Sequence, residues 1–353
     1  MESPLLAVPG AVAADFPDAG VAAHYGDPFA EQRALAEKAG LVDRSHRDVI
    51  KISGPDRLSW LNSISTQKVD DLPADAAVQS LILSPHGHVE HHLSLVDDGS
   101  STWIHVEPGE AAELLAFLES MRFMLRVTAA DVTSEVAVLT AMGPALPPDL
   151  PAAAGAAAVL GFGFGTDLLV DRARLADVAA SLRRRGLSLA GMWAHEALRI
   201  AGHRPRFGTD TDHRTIPHEV GWIDSAVHLN KGCYRGQETV ARVHNLGHPP
   251  RRLVLLHLDG SEDRLPPHAE PVLAVGTDGT DGTDGTEPIK VGFVGSSARH
   301  YELGPIALAL VKRTVPVDAT LRAAGISAAQ EVIVPPDAGA NVTITLGRRR
   351  AGP

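Results

Sequence analysis

The sequence holds one cysteine, no excess of positive charge and no long apolar run, and each shortage removes a class of protein. A single thiol in 353 residues excludes an internal disulfide framework and fits a reducing compartment. Lys and Arg number 32 against 43 Asp and Glu, a formal net charge of −11. A general nucleic-acid binder needs the opposite, a basic face that neutralises phosphates. No stretch approaches the roughly 18 consecutive apolar residues of a membrane helix. The opening MESPLLAVPGAVAADFPDAG lacks the basic start and apolar run of a signal peptide, so a cytoplasmic protein is expected. What is present is ordinary globular composition, 44% hydrophobic and 21% charged, in a chain long enough for two or three domains.

Along the chain, DPFAEQRALAEKAG reads as a helix stopped by its glycine and VIKISG as a strand. PDRLSWLNSIST reads as a helix, with Leu58, Leu61 and Ile64 at three- and four-residue spacing. VQSLILSPHGHVEHHLSLV has the pattern of a hairpin around a Ser-Pro-His-Gly turn, followed by the strand STWIHVEP and the helix EAAELLAFLESMRFM. The Pro-, Ala- and Gly-rich segment 143–161 reads as a surface connection. DRARLADVAASLRRRG and MWAHEALRIAG look helical, and the acidic-then-basic order of the first suits the helix dipole. From RRLVLLHLDG onward, short strands alternate with turn signals, as in a small barrel or sandwich. TDGTDGTDGT at 277–286 reads as a loop insertion, since it lacks the spaced oxygens and closing glutamate of a calcium loop. The expected fold class is α+β, with domains at 24–142, 143–245 and 246–353.

The cysteine lies in KGCYRGQE, residues 231–238. Gln237 to Val243 can form a helix, which sets Cys233 just before a helix N-terminus. There the dipole, Lys231 and Arg235 favour thiolate over thiol. The flanking glycines permit unusual backbone conformations and close approach by a ligand. A small buried cysteine that merely packs is the other reading of the same residues.

The run from LRIAGHRPRFG through KGCYRGQETVARVHNLGHPPRRL resembles the core of the folate-binding YgfZ family, which is related to the T-protein (aminomethyltransferase) of the glycine cleavage system. That family's signature is Lys-Gly-Cys, an aromatic residue, any residue, then Gly-Gln-Glu, and residues 231–238 match it throughout. GPDRLSWLNSISTQKV, SPHGHV and KVGFVGSSARHYELGPIALALVKR extend the resemblance from about residue 24 to 313. It implies a T-protein/YgfZ-like three-domain ring with a C-terminal small β-barrel, around a cavity holding tetrahydrofolate or a one-carbon derivative. It also implies a part in making or repairing iron–sulfur clusters and in keeping dependent enzymes active, including those that modify tRNA. The implied partners are folate and iron–sulfur enzymes or assembly factors, with no membrane and no strong direct nucleic-acid binding. Cys233, beside the folate, is the catalytic candidate. It could attack a one-carbon unit, handle a sulfur or iron species, or only shape the pocket.

The candidate cofactor-binding residues follow from that resemblance. Glu219, in IPHEVGW, matches the glutamate that accepts the paired donors of a pterin edge in the T-protein-like family. Arg235 or Arg242 could meet the folate tail through charge-assisted bonds, and Tyr234 and Trp222 could stack on its rings. Lys231, Gln237 and Glu238 complete the set from the motif. A turn glutamate, solvated arginines and core aromatics are the plain alternatives.

One departure weakens the transferase reading. The T-protein proper needs an aspartate in the N-terminal hairpin, and in SPHGHVEHHLSL its place falls on His91 or His92. A histidine, neutral or cationic near pH 7, does not replace an anionic carboxylate. The chain is therefore not expected to be a competent aminomethyltransferase, and one-carbon or sulfur/iron chemistry through the cysteine is left open. A folate-dependent aminomethyltransferase or demethylase module is one alternative, and a non-catalytic metal- or cluster-binding accessory protein is another. His86, His88, His91 and His92 crowd the same hairpin, and strand alternation would place His88, Glu90 and His92 on one face. Residues two apart on a strand lie roughly 7 Å apart, which is wide for one tetrahedral ion, so no metal site is assigned. GFGFG at 161–165 lacks dinucleotide-site spacing, and RRRG at 183–186 and RRR at 348–350 read as solvated charges.

Overall fold

Alternation along the strand Val89–Asp97 fixes the plan of the molecule. Leu93 and Leu95 face one way, into a core with the helices Arg57–Ile64 and Ala111–Ser120. His92 and Ser94 face the other way, into a cavity. The computed structural model of the protein describes residues 1–274 and 288–341, so the repeat at 277–286 and the arginines at 348–350 lie outside the described residues.

The first sheet is antiparallel, in the order Ala77–Leu83, Val89–Asp97, Ser101–Val106, Asp48–Ser53, Thr128–Asp131. A second sheet runs Ala158–Gly161, Thr166–Asp171, Val136–Met142, Gly40–Asp43, Ser188–Ala190, with only the last pair parallel. This sheet takes strands from both sides of position 142. The segment 143–161, expected to be a surface connection, contains the helix Leu150–Ala154 and an edge strand. Leu150, Ala154, Ala158 and Leu160 are buried, because its small apolar residues fill the space against the sheet.

The C-terminal strands Arg251–Leu258, Pro271–Ala274, Ile289–His300, Gly304–Lys312, Leu321–Ala323 and Ile326–Val332 close a barrel. The expected α+β class with a C-terminal small barrel is what forms.

Local chemistry explains the helix Met192–Ala201 at the cavity and the helix Pro28–Glu37 packed against it. Asp27 caps Pro28–Glu37 by accepting from Phe29 N and Ala30 N at 3.0 Å each, with Pro28 at the first helical position. Gly40 does not stop this helix but opens a strand, since a Cβ there would lie 2.5 Å from Leu35 Cδ2. The helix Met192–Ala201 buries Ala194, Ala197 and Ile200 and carries His195, Glu196 and Arg199 to the junction of the sheets and the barrel.

Candidate functional site

A cavity of about 480 Å³ lies where the two sheets, the helix Met192–Ala201 and the loops 202–206 and 220–225 meet. The first sheet contributes Gln79, His92, Ser94 and His105, with Glu107 just beyond, and the second contributes Thr140 and Asp167. Its charges are largely paired with one another. Arg206 donates to Glu107 at 2.7 Å and to Asp18 at 2.8 Å. Arg199 donates to Glu196 at 2.7 Å and to Asp210 at 2.8 Å. Asp167 accepts from Thr140 at 2.6 Å and from Arg44 at 3.3 Å. Arg47 bonds Glu107 and also donates to His105 Nδ1 at 2.9 Å.

These pairings decide the protonation states. Burial opposes ionisation of Glu107, but Arg206 and Arg47 outweigh it and hold its carboxyl well below the ordinary range. Glu196 is held down in the same way by Arg199 and Arg206. His105 is pushed down to about 4, chiefly by burial and then by Arg47. Its Nε2 lies 3.0 Å from Asp167 Oδ2 but is not aligned to form a hydrogen bond. His92 is likewise lowered to about 4 by burial and by Arg47. Its ring stacks on Trp222 with centroids 4.6 Å apart and planes 6° from parallel. The two hairpin histidines that could occupy the aspartate position thus part company: His92 lines the cavity, while His91 faces away with Nδ1 2.9 Å from Glu110.

Of the nine site residues expected from the sequence, only Trp222 lines this cavity. Glu219 is fully buried, but both its oxygens accept from Arg251, at 2.8 Å each, and Oε2 also takes Ile216 N at 3.1 Å. It clips the segment Pro217–Val220 to the first barrel strand, leaving no free pair of acceptors for a pterin edge. Lys231 Nζ donates to the carbonyls of Asn62, Ser65 and Gln67 at 2.5, 2.7 and 2.8 Å. Tyr234 is buried with its ring 5.2 Å below that ammonium. Arg235 donates to Glu90 at 2.9 Å and lies over Phe117. Gln237 reaches back to Lys231 O at 3.4 Å, and Glu238 and Arg242 are exposed on the helix Gln237–Leu246.

Cys233 itself is exposed, four residues before that helix, and both cations expected to favour its thiolate are engaged elsewhere. Glu90 is likewise committed to Arg235. Among the described residues no three His, Cys, Asp or Glu groups come together to hold a metal ion.

The residues that build the cavity are dispersed from position 44 to 333, so no local motif marks them. The available signal was a charge inside an otherwise apolar element: His105 and Glu107 around WIHVEP, Asp167 in TDLLVD, Glu196 and Arg199 in WAHEALR. GFGFG also gains a role, as the turn that brings Phe162 and Phe164 to the cavity wall.

Comparison with known proteins fits this architecture. Residues 10–148 match the GCVT N-terminal domain. The chain is 26% identical to the aminomethyltransferase of Moorella thermoacetica, across 81% of this chain and 82% of that one. It is 27% identical to that of Chromobacterium violaceum across 60% and 65%. The crystal structure of the glycine cleavage system aminomethyltransferase T from Bartonella henselae superposes with a TM-score of 0.75 at 19% identity, covering 93% of this chain and 94% of that one. These likenesses show a GCVT N-terminal domain over residues 10–148 and the T-protein fold across the chain.

Proposed function

We propose that this protein binds tetrahydrofolate or a one-carbon derivative in the central cavity and supports the assembly or repair of iron–sulfur clusters and the enzymes that depend on them. The observation that carries the folate half is the cavity, whose volume suits a drug-sized ligand and whose wall sets Trp222, Phe162 and Phe164 among many charged and polar side chains. The resemblance of KGCYRGQE to the YgfZ signature supports the cluster half, together with the use the fold makes of that motif. Lys231, Tyr234 and Arg235 all hold the loop in place, and the thiol they present faces solvent. A thiol outside the cavity suits work on a partner protein better than attack on a folate-borne carbon.

The names of the relatives favour a second reading, aminomethyl transfer to folate. Against it, the place of the T-protein's aspartate falls on His91 or His92, and His92, the one that lines the cavity, is held neutral by its burial. A glycine-cleavage assay separates the two.

The test has two halves. Calorimetric titration should show saturable tetrahydrofolate binding that Ser225→Trp abolishes, since Ser225 lines the cavity yet is exposed enough to be replaced without disturbing a core. No binding by the native chain would end the folate reading. In a strain lacking the protein, Cys233→Ala should fold and bind folate but fail to restore cluster-dependent enzyme activity, and full rescue would remove the thiol from the function.

A further inference from the structure

We infer that the cavity selects reduced folates whose ring system carries no positive charge, and that an uncharged side chain at position 92 sets this selection. The inference rests on the folate reading above and adds the class of one-carbon state the site accepts.

The argument is one of charge balance at a defined wall. The cavity is lined by the guanidinium groups of Arg44, Arg47, Arg199, Arg204 and Arg206 and by the carboxylates of Glu107, Asp167, Glu196 and Asp224. Three of those carboxylates are already bound to arginines: Glu107 to Arg47 and Arg206, Asp167 to Arg44, Glu196 to Arg199. The fourth, Asp224, is exposed at the mouth. A cationic ring deep in the cavity would therefore meet no uncommitted anion to offset the loss of its hydration.

His92 decides the matter by its place in the cavity wall. Here His92 lies flat against Trp222 and covers one face of the indole, removing that face as a platform for a cation. The charged groups that act on His92 are Arg47 and Glu107, with His105 beside them, and Glu107 is itself neutralised by its arginines. Glu110, just before the helix Ala111–Ser120, is bound to His91 on the opposite face. His92 Nε2 is buried with no hydrogen-bond partner, so it offers a ligand a neutral donor or acceptor rather than a counter-ion.

Reduced folates divide on this property. The ring systems of tetrahydrofolate and of its 5-formyl and 5-methyl forms are uncharged at neutral pH, whereas the 5,10-methenyl form spreads a formal positive charge over N5 and N10. The tail carboxylates are common to all, so they do not discriminate.

The experiment is a calorimetric comparison of 5-formyltetrahydrofolate with 5,10-methenyltetrahydrofolate, in mildly acidic buffer where the cation persists. The native protein, His92→Asn and His92→Asp are titrated in parallel, with thermal melts to confirm folding. The native protein should bind the uncharged form at least about tenfold more tightly. His92→Asn should keep that preference, and His92→Asp should narrow or reverse it. Equal or tighter binding of the cation by the native protein overturns the inference while leaving the folate reading intact. So does a preference that His92→Asp leaves unchanged. If neither folate binds, the folate reading itself falls and the inference falls with it.

Discussion

Lys231 shows how far a residue's neighbours in sequence can mislead. Its place two residues before Cys233 suggested a cation that activates the thiol or meets a ligand. In the fold its ammonium closes the end of the helix Arg57–Ile64, donating to the carbonyls of Asn62, Ser65 and Gln67. Helices leave their last carbonyls without partners, and a cation there is favourable through both hydrogen bonds and the dipole. Burial lowers this lysine to about 8, while three carbonyl acceptors favour its charged form. Replacing it with methionine keeps the apolar stem but leaves those acceptors buried and unmet. Lys231→Met should lower stability by about 1–3 kcal/mol, read as a shift of the urea midpoint, with folate affinity changed by less than about twofold. A large loss of folate affinity at unchanged stability would return Lys231 to the binding site.

At the scale of elements, much of the architecture was legible. Apolar runs around a Ser-Pro-His-Gly turn identified the hairpin, helical spacing found Arg57–Ile64, and the turn-punctuated C-terminal third formed the barrel. The site was far less legible, because each cavity residue is supplied by a different element and only tertiary contact reveals that Arg206 meets Asp18 and Glu107. The signature loop illustrates the difference. Its glycines were read as room for a ligand, but Gly236, at φ +81°, makes room for the hairpin. A Cβ there would lie 2.6 Å from Ser84 O and 3.0 Å from the Gly87 Cα. Gly232 has no such neighbour, so the two glycines of one motif answer to different constraints. Gly236→Ala should cost about 1–2 kcal/mol from the left-handed backbone alone, with the steric overlap added. It should also expose the loop 229–236 to limited proteolysis, whereas Gly232→Ala should do neither. Equal protease resistance of the two variants would show that loop and hairpin are not coupled.

For the molecule as a whole, the buried charge network predicts a particular response to acid. His92, His105 and His218 are each lowered by burial to about 4, whereas in an unfolded chain they titrate near 6.5. Between those values the unfolded chain binds more protons than the folded one, so stability rises with pH and is lost as pH falls through that window. For His92 alone the loss is on the order of 3 kcal/mol once the pH reaches the folded value. The carboxylates act later. Glu107 and Glu196 are held well below 4.5 by their arginines, so their contribution persists down to that ordinary range and disappears only below it. Urea midpoints measured from neutral pH downward should therefore begin to fall below about pH 6.5, before any carboxylate protonates. His92→Asn removes one of the three groups and should flatten this first stage while leaving the second in place. A midpoint that holds steady until the carboxylate range would mean that these histidines are hydrated or paired in solution, and that the cavity wall carries charge at neutral pH. That outcome would also withdraw the basis for a neutral imidazole facing the folate.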